Sequence, residues 1–79
     1  MNVQQIYVEL LDEGVIVYRP VSATKIRDGI YRIEGVIPET ETWAFAPGQI
    51  VECELRTFDD VRRELAAIRL VTQDKIGNQ

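Results

Sequence analysis

The chain has no histidine, which excludes imidazole acid–base catalysis and histidine-ligated metal sites. It has one cysteine, Cys53, so no internal disulfide can form. A lone thiol points to a reducing compartment, most simply a bacterial-type cytoplasm. No apolar run approaches the ~18 residues that a membrane-crossing helix needs. The opening MNVQQIYVELLDE lacks a basic stretch followed by an apolar one, so it does not read as a secretory signal. Basic residues are outnumbered: Lys plus Arg is 9, Asp plus Glu is 13, and the net charge is −4. That balance disfavours phosphate-backbone binding as the main activity. There is no glycine-rich phosphate loop, no nucleophile–base pair and no Cys/His metal spacing. Asp12 and Glu13 are adjacent carboxylates, but no regular oxygen-ligand loop surrounds them. The expectation is a non-enzymatic protein with no cofactor, no metal and no membrane partner.

What is present describes a small β protein. Seventy-nine residues make one domain, assigned to residues 1–72, with a polar tail over 73–79. That length is near the lower limit at which a single core suffices without staples. The centre of the pattern runs from Val15 to Val36: a long strand, a turn at Asp28-Gly29 and a return strand. Asp-Gly between alternating apolar residues predicts a type I′ hairpin, with positive φ at both turn residues. Val15, Val17, Val21 and Ala23 share one parity, as do Tyr31 and Ile33 on the return, so one side of the ribbon faces a core. Pro20 cannot donate to a ladder, which predicts a bend or bulge near Arg19-Pro20.

Ahead of this hairpin, residues 3–11 read as a strand with Ile6, Val8 and Leu10 on one face, and Asp12-Glu13-Gly14 as a turn. Behind it, residues 37–42 are a proline-broken acidic loop, and Pro47-Gly48 predicts a type II turn. Residues 49–58 are the clearest strand. They set Val51, Cys53 and Leu55 opposite Ile50, Glu52, Glu54 and Arg56, which places Cys53 in the core as a small hydrophobe. Residues 57–70 carry two readings. Thr57 and Asp59 with Val61, Leu65 and Ile68 form a capped helical stripe, giving an α+β fold with a C-terminal helix. Alternatively residues 64–72 are a closing strand with Ala66, Ile68 and Leu70 on one side. The strand is preferred, because four strands would leave an exposed edge.

The fold expected is therefore all-β: a small five-stranded SH3-like barrel. The segment Val17-Tyr18-Arg19-Pro20-Val21-Ser22-Ala23, followed by Asp28-Gly29-Ile30-Tyr31-Arg32-Ile33, resembles the second and third strands of Tudor- and KOW-type barrels. More of the chain, residues 7 to 71, resembles small bacterial SH3-like proteins to which no activity is assigned. That resemblance rests on Leu10-Leu11-Asp12-Glu13-Gly14, Arg19-Pro20-Val21, Gly29-Ile30-Tyr31-Arg32-Ile33, Glu41-Thr42-Trp43-Ala44-Phe45-Ala46-Pro47-Gly48 and Val51-Glu52-Cys53-Glu54. It implies the barrel and the strand reading of the C-terminal piece, and no chemistry. Val3-Gln4-Gln5-Ile6-Tyr7 superficially echoes the Val-Gln-Ile-Tyr signature of type II plasmid-borne dihydrofolate reductases, which work as an oligomeric pore. Here it has an extra residue and lies in the first strand, so a pore enzyme is the remotest reading.

Two surfaces stand out as candidates. Trp43 and Phe45, with Tyr18 and with Arg19 and Glu41 at the rim, form either an aromatic platform for a cationic or planar ligand or a plug over one mouth of a small barrel. Glu13 and Arg19 are expected to pair across strands, with Glu41 joining them. The function this implies is a binding or regulatory module, contacting a protein partner or forming a homodimer. The second surface, Arg56, Arg62, Arg63 and Arg69, is an alternative nucleic-acid face, for single-stranded RNA, or else a solvated face balancing nearby acids.

Overall fold

A computed structural model describes residues 3–58 and 62–71 of the chain. Those residues are all-β, in five strands: β1 (Val3–Leu10), β2 (Val17–Arg27), β3 (Ile30–Ile33), β4 (Ile50–Phe58) and β5 (Arg62–Leu70). Each strand pairs with the next in sequence, and the set closes as a barrel. The four consecutive pairs are antiparallel. With an odd number of strands the first and last then run the same way, so the closing pair must be parallel. It is, through Tyr7 and Ala66.

The C-terminal helix is not formed. Residues 62–70 are strand, paired with β4 from Leu70 opposite Val51 to Arg62 opposite Phe58. Local helix propensity yields because an unclosed β1 and β4 would each carry a row of unpaired backbone groups. The face assigned to this strand needs correction. A register shift between Glu52 and Cys53 pairs Glu52 with Arg69 and Cys53 with Ala67, leaving Ile68 as the extra residue of a bulge. Ala67 therefore turns inward and is buried, while Leu70 is 49% exposed. The proposed cap residue Asp59, Val61 and the tail over 73–79 lie outside the described residues.

The central hairpin is present but shorter than its sequence pattern. Val15 and Val36 are 71% and 84% exposed, outside both strands. Its turn is not type I′: Gly29 has φ +78, but Asp12 is the one non-glycine with positive φ among the described residues, so Asp28 lacks it. The register shifts between Lys25 and Arg27. A single left-handed residue after such a shift is the turn-plus-bulge solution of a three-residue hairpin loop.

Pro20 lies in an unbroken ladder with β1, opposite Tyr7, and the expected bend there is absent. Hydrogen bonding explains why. The Ser22 carbonyl accepts from Glu34 N–H, so even-numbered residues of β2 aim their backbone groups away from β1. Pro20 thus lacks its N–H on the side where β3, which pairs only from Ala23 onward, is not present. No ladder bond is lost.

The interior is lined by Ile6, Val8, Ile33 and Val51, all fully buried, with Leu10, Val21, Ala23, Tyr31, Cys53 and Ala67 completing it. Residues 34–49 close the end where β1 finishes and β2 begins. This connection leaves beside Ser22 and crosses to the outer edge of β1, where Leu11 N–H donates to Thr42 O and Ala44 N–H to Glu9 O. It returns to β3 through a type II turn at Pro47-Gly48, with Gln49 N–H donating to Ala46 O at 3.1 Å and φ +89 at Gly48.

Candidate functional site

Trp43 sits where the crossing segment meets β1, in a bridge with Leu10. Its side chain is buried in the core cluster, and Phe45 and Ile37 pack against that cluster from the same connection. The pair has the geometry of a plug. An indole 8% exposed offers almost no free π face to a ligand.

The rim groups converge on one carboxylate. Glu41 accepts from Arg19 Nε at 2.8 Å and from Trp43 Nε1 at 3.0 Å through the same oxygen, Oε1. Its Oε2 is paired with the Arg19 terminal nitrogen, so the guanidinium fork is engaged twice. The Glu41 side chain is only 11% exposed, against 43% for Arg19. Arg19 thus bonds a residue 22 positions on, tying the crossing segment to β2. The expected Glu13–Arg19 pair is replaced by this one. One edge of the Arg19 guanidinium, Nε and a terminal nitrogen, is taken by Glu41, and Glu13 stands in an exposed bend.

Arg19 first, then the Trp43 indole N–H, holds the Glu41 carboxyl below its usual range. A depressed carboxylate pKa contributes stability that is complete above the unfolded value, about 4.3, and lost as pH falls through the folded one. Glu34, bonded by Thr24 and Arg32, is shifted in the same direction. Glu41→Gln is therefore expected to lower the melting temperature at pH 7 and to flatten its fall below the unfolded carboxylate pKa. Acid melting curves that run parallel for the two proteins would show that the latch carries no stability.

Tyr18 is not part of the Trp43 group. Its ring packs on Phe58 at 5.3 Å, and Phe58 also meets Tyr7 edge-on at 4.9 Å. Tyr7, Tyr18 and Phe58 lie on the outside of the barrel, so the end of the β4–β5 hairpin curls over β1 and β2. Sequence reasoning left Phe58 and Tyr7 out of the site. The available sign was an aromatic on a charged stripe: Phe58 shares parity with Glu54 and Arg56, and Tyr7 with Glu9.

Beside Arg19 runs a shallow cleft of about 250 Å³, lined by residues 19–22 of β2, by Glu34, Gly35, Val36 and Pro38, and by Trp43. One wall is the β2 edge that β3 leaves unpaired. The Tyr18 N–H and C=O and the Pro20 C=O point along that wall. Glu9, opposite Tyr18, bonds instead to Ala44 on the other side of β1. No backbone partner meets these three groups among the described residues.

The arginines do not form one basic face. Arg69 bonds Glu52 at 3.0 Å, Arg56 bonds Glu54 at 3.3 Å and Arg62 lies 3.6 Å from Glu64. Arg63, in register with Thr57, has the opposite parity. The result is a ladder of alternating charge on the outer side of β4 and β5, with Arg63 across the sheet from it. Cys53 is buried, and burial first, then the Glu52 carboxylate, pushes its thiol up to about 11. Such a thiol is a packing group rather than a nucleophile. Among the described residues no helix is long and apolar enough to cross a membrane. Comparisons with protein-family models, with curated proteins and with solved structures gave no match for this chain.

Proposed function

We propose that this chain is a non-enzymatic, cytoplasmic binding module of the SH3-like barrel type, docking a protein across the cleft beside Arg19. Tyr18 and Arg19 form one side of the contact surface, and Glu41 holds the rim in place. Trp43 and Phe45 supply the packed floor rather than the contact itself. The observation that carries this reading is the unpaired β2 edge standing in an open cleft next to a partly buried tyrosine. Edge backbone groups recognise an added strand by main-chain hydrogen bonds, with side-chain pockets supplying selectivity. The order of strands and the closure of first on last support the SH3-like kinship.

Amide spectra of the isotope-labelled protein test this, recorded against its own concentration and against a purified partner recovered by crosslinking in the parent cell. Shifts are expected at Tyr18, Arg19, Val21, Ser22, Gly35 and Val36, which line the cleft and its edge. Perturbation confined to the β4–β5 charge ladder on adding single-stranded RNA at low salt would favour the nucleic-acid reading instead. An unmoved cleft under every condition would end the proposal.

A further inference from the structure

We propose that the free edge of β2 is a self-recognition edge, on which a second copy of this chain pairs antiparallel about a two-fold axis through Tyr18. This rests on the binding-module reading and names its occupant. A two-fold interface requires one patch to complement itself, and the backbone here does so in one register. With Tyr18 opposite Tyr18 of the second copy, each Tyr18 N–H faces the other's C=O. Two residues along, Pro20 stands opposite Ile16 of the second copy. Pro20 has only an acceptor to offer, and the Ile16 N–H is the donor that meets it. Each Pro20–Ile16 pair thus keeps one of its two bonds, and the Ile16 C=O, just outside β2, is left to solvent at the end of the ladder.

Side chains agree with the same register. Val15 and Ile16 are 71% and 76% exposed, an unusual pair of aliphatics to leave in water side by side. The two-fold sets them opposite Val21 and Pro20, which line the cleft on the facing copy. Ile16 therefore meets the exposed ring of Pro20, while Val15 lies over the strand backbone at Val21, whose side chain is buried in its own core. Arg19 is set opposite Val17, and the two Arg19 residues, diagonal neighbours on one face, are each neutralised by their own Glu41. The two Tyr18 rings, each backed by its own Phe58, join into one aromatic band across the interface, the kind of side-chain pairing that stabilises neighbouring strands.

Sedimentation velocity of the full chain over a concentration series, up to millimolar, is the test. The expected result is a reversible monomer–dimer equilibrium. Ile16→Lys, at an exposed position that leaves the barrel core untouched, should raise the dimer dissociation constant by about tenfold or more, as loss of an anchor does. Val15→Lys should act the same way, while Leu55→Lys, on an exposed residue of β4, should not. A strict monomer at every concentration would overturn the inference, as would a dimer indifferent to both substitutions. If the cleft amides nevertheless move with a crosslinked partner, the binding-module reading survives and only the identity of the occupant fails.

Discussion

Trp43→Ala should remove a large part of the molecule's stability rather than merely weaken a contact. Truncating a buried aromatic costs about 3–5 kcal/mol, and a chain of 79 residues has roughly 4–12 kcal/mol in all at ~0.05–0.15 kcal/mol per residue. Three things go at once with the indole. The cap over Leu10 and its neighbours in the core cluster is removed, the Nε1 bond to Glu41 is lost, and Arg19 then holds a carboxylate with no floor beneath it. For a domain this small, each kcal/mol shifts the midpoint by about 4–8 °C, so the melting temperature should fall by more than about 12 °C. Trp43→Phe keeps most of the apolar volume and loses only the indole N–H donor, and should fall by much less. A Trp43→Ala protein that melts with the wild type would return the residue to the contact surface.

The strands and the interior were readable in the sequence because both rest on period-two alternation. Ile6, Val8 and Leu10, Tyr31 and Ile33, and Val51 and Cys53 all turned inward as their parity required. Parity fails wherever a bulge adds a residue, and nothing in Glu-Leu-Ala-Ala-Ile-Arg-Leu marks Ile68 as the extra one. The turn at Asp28-Gly29 was legible as a turn, but its type was not, since Gly29 alone supplies the positive φ. Pro20 was read as a bend because a sequence does not say which side of a strand its N–H would face. The Arg19–Glu41–Trp43 group was legible as a set of residues, yet its role depends on the path of residues 34–49, which no local pattern encodes. The Tyr7–Tyr18–Phe58 cluster escaped for the same reason, since it requires the β4–β5 hairpin to curl over two strands far from it in the chain.

How sharply the barrel ends above β3 can be tested by two truncations three residues apart. Ile33 is fully buried, its N–H bonded to Gln49 O and its C=O accepting from Gly48, and across the ladder it faces Ala23. Ile33→Ala therefore opens a cavity beside a neighbour with no side chain long enough to fill it, and the surrounding backbone is pinned on both sides. The cost should lie in the upper half of the ~2–5 kcal/mol seen for such truncations, because the cost grows with the cavity that remains. Ile33→Val, leaving one methylene short, should cost about 0.5–1.5 kcal/mol. Val36, 84% exposed in the connection that follows, should lose no more than about 0.5 kcal/mol on going to alanine. Urea titration separates the three variants by midpoint at an unchanged slope. A Val36→Ala cost equal to that of Ile33→Ala would mean that the core continues into residues 34–38, the cleft beside Arg19 is filled in solution, and no strand can be received there.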